Sequence, residues 1–148
     1  MKWALAVAFL SLGIAGFALF RTVDREPGYT DAQRGEARTA ICSAFDTVRT
    51  GVATNTNIEP PGGPGDISGA LAVAANARVS LFDGGQYLLA RLEPATPADL
   101  AADVRRFADQ LLDIGAAATA GVPNTDPVQA SRLKDAEAAS TAISGRCR

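Results

Sequence analysis

The side chains able to do chemistry in this 148-residue chain are two thiols, Cys42 and Cys147, and a scatter of carboxylates. Histidine is absent. That removes the commonest general base, the Ser-His and Cys-His nucleophile pairs, and most catalytic zinc sites. The carboxylates Asp46, Glu59, Asp66, Asp83, Glu93, Asp99, Asp103 and Asp109 fall at caps, in loops or on charged helix faces, where solvated structural roles are expected. Asp46 with Arg49, Asp103 with Arg106, and Arg105 with Asp109 have the spacing of surface ion pairs on a helix. Such pairs contribute a few tenths of a kcal/mol and imply no reaction. No Cys-x-x-Cys supports a reactive thiol, and no Glu-x-x-His supports a di-iron site. The reading is a protein that is not an enzyme and carries no cofactor or metal.

Composition says what kind of scaffold holds these residues. Apolar residues make up 47% of the chain but aromatics only 6%. Alanine, the best helix former, dominates, and runs of alternating β-branched residues are missing. The expected fold is all-α, with helices packed closely over small side chains. A net charge of −2 and a pI near 5.1 leave no basic patch for nucleic acid, because the arginines are interleaved with acids.

Residues 3–20 are an apolar run from Trp3 to Phe20, preceded by Lys2 and followed by Arg21, Asp24, Arg25 and Glu26. The run is long for a signal-peptide h-region of about 7–15 residues and just long enough to reach across a bilayer core. Trp3, Phe17 and Phe20 lie near its ends, where aromatic rings favour the interface. Residues 1–20 therefore read as an uncleaved transmembrane helix; the alternative is a signal peptide cut after Ala18. Pro27 and Gly28 make 21–29 a juxtamembrane linker. The expected placement is a single-pass membrane protein with its N-terminus cytoplasmic and residues 30–148 extracytoplasmic.

Four helices are predicted beyond the linker. The first, over 30–57, opens on a capping box at Thr30 to Gln33 and carries an apolar stripe at Ala37, Ile41, Phe45, Val48 and Val52. Pro60, Pro61, Gly62, Gly63, Pro64 and Gly65 then form a breaker-rich segment that reads as a mobile connecting loop. The second helix, capped by Asp66, is assigned a buried stripe at Ile67, Leu71, Ala75, Val79, Phe82, Leu89 and Leu92. That phase persists across Gly84 and Gly85, so the helix is expected to run through them, with a kinked break as the alternative. The glycines would mark a close approach by a neighbouring backbone, with Tyr87 at the contact.

Thr96-Pro97-Ala98-Asp99 reads as a hydroxyl cap followed by proline at the first helical position. The third helix should bury Leu100, Val104, Phe107, Leu111, Leu112 and Ile114, leave Asp99, Asp103, Arg105, Arg106 and Asp109 wet, and end at Gly121 and Pro123. Asp126-Pro127 starts the fourth, whose thinner stripe is Val128, Leu133, Ala136, Ala139, Ile143 and Cys147. The whole is expected to be an antiparallel up-down four-helix bundle.

Two cysteines far apart in a chain with an export signal read first as a disulfide. In an up-down bundle the first and fourth helices are antiparallel neighbours. Counting a fourth helix of about 20 residues back from Asn57, at 1.5 Å per residue, lands within about one turn of Cys42. A Cys42–Cys147 bridge is therefore expected, two unpaired buried thiols being the alternative. Closing so long a loop stabilises by up to about 4–5 kcal/mol in the chain-entropy model.

The segments Ile41-Cys-Ser-Ala-Phe-Asp-Thr-Val-Arg49, Gly84-Gly-Gln-Tyr-Leu-Leu-Ala-Arg-Leu92, Pro94-Ala-Thr-Pro-Ala-Asp-Leu100 and Gly121-Val-Pro-Asn-Thr-Asp-Pro127, with the near-terminal Cys147, are similar to the alanine/proline-rich single-span membrane proteins of mycobacteria and their relatives. The resemblance implies a location and an architecture; the family has no established activity and supplies no site residues.

Two functions from different classes follow. One is a membrane-tethered interaction module that docks on another envelope protein through the Gly84, Gly85 and Tyr87 region or the Pro60-Pro61 loop. The other is a binding domain for a small apolar or lipid-like ligand held between loosely packed alanine-rich helices.

Overall fold

The computed structural model describes residues 28–148. The expected membrane-spanning helix over 3–20 and most of the linker lie outside the described residues. Among the described residues no helix is long and apolar enough to cross a membrane. The described chain is all-helical: α1 (Asp31–Thr56), α2 (Ile67–Arg91), α3 (Ala98–Thr119) and α4 (Pro127–Arg146), with no strand. Asp31–Arg148 forms one unit by itself.

Close packing runs between consecutive helices, α1 with α2, α2 with α3 and α3 with α4. The pairings are antiparallel: Gly85 faces Ala108 and Leu112 while Gly115 faces Leu81, and Gln129 meets Ile114 while Arg146 meets Asp103. The core is Ile41, Phe45 and Val48 from α1, Leu81 and Leu88 from α2, Leu100, Val104, Phe107, Leu111 and Ile114 from α3, and Ala136, Ala139 and Ile143 from α4. Phe45 and Phe107 meet edge to face with ring centroids 5.5 Å apart, the arrangement that ring quadrupoles favour.

The turn chemistry follows local sequence closely. Asp66 caps α2, one carboxylate oxygen accepting from Gly69 N at 2.8 Å and the other from Gly62 N at 3.1 Å. The proline- and glycine-rich segment expected to be a mobile loop is thus folded into successive turns, Gly63 N to Pro60 O and Asp66 N to Gly63 O, and tied to the helix start. Gly121, at φ +83°, ends α3 in a left-handed cap with Val122 N donating to Ala117 O. Asp126 caps α4 through Val128 N and Gln129 N, with Pro127 in the first turn.

Four expectations are corrected. On α2, Ile67, Leu71, Val79 and Phe82 are 56–76% exposed, whereas Leu81, Gly84, Gly85 and Leu88 are buried. Periodicity assigns the largest apolar side chains to the interior, but the tight contacts of α2 are made by its smallest residues. A Cβ on Gly85 would sit 2.9 Å from Ala108 O, and one on Gly84 2.7 Å from Val48 Cγ1. Where backbones approach this closely only glycine fits, and the face around the glycines goes inward.

The second correction concerns Thr96, which does not cap α3. Pro97 occupies the cap position, no side chain caps the helix, and the buried Thr96 hydroxyl has no partner among the described residues. Third, Asp103 is not on a wet face but buried. Fourth, on α4, Val128 and Leu133 are exposed while Gln129 is fully buried, which moves the stripe to Gln129, Ala136, Ala139 and Ile143.

Candidate functional site

At one end a covalent bond joins the first helix to the last. There Cys42 of α1 and Cys147, just past α4, form a disulfide with Cα atoms 5.7 Å apart, as their spacing predicted. Arg38 lies one turn before Cys42. It donates from Nε to Arg146 O at 3.1 Å and from Nη2 to Arg148 O at 2.9 Å, satisfying carbonyls that the end of α4 leaves free. The cation also complements the negative end of the helix dipole.

Arg146 in turn donates from Nε to Asp103 Oδ2 at 2.6 Å, which fastens α4 to α3. Arg106 stands 3.6 Å from the other oxygen of Asp103, and Asp99 lies 3.5 Å from Arg146 Nη1. A buried carboxylate is tolerated because guanidinium groups meet both its oxygens. Its hydrogen bond, against the opposing pull of desolvation and with help from the charges of Asp103 and Asp99, raises the Arg146 pKa above the ordinary arginine value. A raised pKa on a base contributes stability below that pKa and loses it only as pH climbs through it, so the contribution is in place throughout neutral pH. Of the three ion pairs expected on helix surfaces, Asp103 with Arg106 forms, whereas Asp46 with Arg49 and Arg105 with Asp109 do not come within ion-pair distance.

At the other end no such tie joins α1 to α4 among the described residues, and a crevice of about 430 Å³ opens between the helices. All four contribute to its wall. Val52 and Ala53 come from α1, Ala74, Ala77 and Leu81 from α2, Phe107, Leu111, Ile114 and Ala118 from α3, and Leu133 and Ala136 from α4. Its polar lining includes Arg49, Arg78 and Glu137. Small side chains explain the space: Ala53, Ala74, Ala77 and Ala136 on its wall are too short to fill the gap between the helices. Nearby, Gln129 Nε2 donates to Ile114 O at 3.1 Å across the α3–α4 seam, while its Oε1 is buried without a partner among the described residues.

The residues singled out as an interaction surface are not brought together. Gly84 and Gly85 are buried in the seams of α2 with α1 and α3, so the close approach they mark is internal to the fold. Tyr87 is half-exposed on α2, its ring 5.0 Å from the Arg91 guanidinium carbon. Pro60 and Pro61 belong to the turn before α2, with Pro60 O accepting from Gly63 N. No group of three or more His, Cys, Asp or Glu residues suited to a metal occurs among the described residues. The crevice, Arg38, Arg146, Gln129 and the burial of Asp103 are not read from the sequence. Signals for two of them existed: Asp103 shares the phase of Leu100 and Phe107, and Gln129, Ala136 and Ile143 are spaced by seven.

No protein-family model, no curated protein and no solved structure matches the chain.

Proposed function

We propose that this chain is a non-catalytic binding module of the cell envelope, tethered to the membrane by residues 3–20, and that it holds a small apolar or lipid-like molecule in the crevice at its unclasped end. The observation carrying this reading is the crevice itself. Its volume of about 430 Å³ and its alanine-, leucine- and phenylalanine-lined wall have the size and chemistry of ligand pockets, which span roughly 300–1,000 Å³. A disulfide between Cys42 and Cys147 fits an oxidising compartment, in keeping with export of residues 30–148. The likeness to single-span mycobacterial membrane proteins supports the same placement.

Native mass spectrometry of the gently extracted full chain tests the reading. Added mass is expected, and it should disappear in Ala77→Trp, which fills the crevice. A consistently empty spectrum from correctly folded protein overturns it.

A second reading, a module that docks on another envelope protein, draws on the exposed apolar face of α2 at Ile67, Leu71, Val79 and Phe82. Large apolar side chains grouped on one outward face are a feature of docking surfaces. Crosslinking in membranes from a photoreactive residue at Phe82 should then yield one stoichiometric product, and recovery of the uncrosslinked chain alone counts against docking.

A further inference from the structure

Resting on the crevice-binding reading, we infer that the ligand is a single-chain amphiphile with an anionic head, its chain against Leu81, Leu111 and Leu133 and its head held by Arg49 and Arg78. The argument is one of charge. Arg38, Arg132 and Arg146 are engaged by backbone carbonyls or carboxylates. Arg49 on α1 and Arg78 on α2 both line the crevice, yet neither reaches an acceptor among the described residues. Arg49 is exposed and Arg78 half-buried.

The wall's acid, Glu137, projects from α4 and is exposed and equally unpaired. Two cations against one anion leave this wall positive in a chain whose net charge is −2. A half-buried guanidinium without an acceptor costs free energy that an anionic head would recover through charge-assisted hydrogen bonds. A neutral ligand leaves that cost in place, and a cationic one is repelled. A compact anion makes no use of the apolar wall. The modest volume sets the limit at one chain.

The test uses the full chain with methyl labelling in phosphatidylcholine nanodiscs, titrated separately with dodecanoate, dodecyl phosphate, dodecanol and dodecyltrimethylammonium. The readout is the shift of the Leu81, Leu111 and Leu133 methyl signals. Saturable shifts are expected with dodecanoate or dodecyl phosphate, and the tighter of the two identifies the head as carboxylate or phosphate. Dodecanol should bind about tenfold more weakly, the loss of one charge-assisted pair, and the ammonium more weakly still. Replacing both arginines, Arg49→Gln with Arg78→Gln, should bring dodecanoate down to the dodecanol level and leave dodecanol unchanged. The two positions are exposed or half-buried, so the fold survives, which the undisturbed Phe45 and Ile143 signals check.

Equal binding of dodecanol and dodecanoate, or a double variant that binds dodecanoate as the parent does, overturns the anionic head and leaves crevice binding standing. No shift with any of the four compounds overturns both.

Discussion

The clasped and open ends of this helical unit are built from the same four alanine-rich helices, and they differ in what joins α1 to α4. At the clasped end a disulfide, the Arg38 contacts to the last carbonyls of α4, and the Arg146–Asp103 pair surround the Phe45–Phe107 contact and Ile143. At the open end α2 begins with fourteen residues, 67–80, of which none is buried, and the crevice stands where a bundle core would continue. Covalent and polar ties thus add to apolar packing at one end. Their absence at the other leaves space that a ligand can use. Small side chains teach the same lesson from both sides: glycine at 84 and 85 lets α2 pack closely, and alanine on the crevice wall leaves room.

The largest effect should come from removing the clasp. Cys42→Ser with Cys147→Ser opens a loop of 105 residues and should lower unfolding free energy by about 4–5 kcal/mol in the chain-entropy model. Guanidinium titration of the variant, or of the parent with reductant, measures it, and an unchanged midpoint breaks the distinction between the ends.

Phe45→Ala should cost about 3–5 kcal/mol as a buried aromatic is lost. Phe82→Ala, on the exposed face of α2, should stay within about 0.5 kcal/mol. Had the α2 stripe been buried as periodicity suggested, the two would be similar. Gly85→Ala should destabilise by about 1–3 kcal/mol because its new methyl meets Ala108 O and Leu112.

One small effect has the opposite sign. Gly51→Ala, near the open end with no atom within 4 Å of the added carbon, should stabilise by about 0.5–1 kcal/mol through helix propensity. Thermal melts of these two glycine variants, run side by side, sharpen the contrast between the tight seam and the loose end. Asp103→Asn should lower the melting midpoint more than Asp99→Asn, since Asp103 is buried and Asp99 is exposed.

Much of the local order was legible. Asp66, Gly121 and Asp126 act where their types place them, because caps and left-handed turns depend on a few neighbouring backbone groups. The phases of α1 and α3 were legible for a related reason: Ile41, Phe45, Val48, Leu100, Val104, Phe107 and Leu111 give each helix one clearly dominant face. On α2 the apolar residues go almost all the way round, so periodicity offered several faces and chose the bulkiest. Thr96 failed as a cap because Pro97 takes the cap position itself, leaving the hydroxyl without the role its sequence context suggested.

What the sequence determined alone is helix content, helix limits and the compatibility of Cys42 with Cys147, all consequences of short-range propensity and of the 1.5 Å rise per residue. Tertiary structure decided which face of α2 turns inward, that Asp103 is buried beneath Arg146, and that a crevice lies between helices fastened at one end. Those outcomes depend on how closely two backbones can approach, which is a property of the pair of surfaces in contact and is written in neither helix separately.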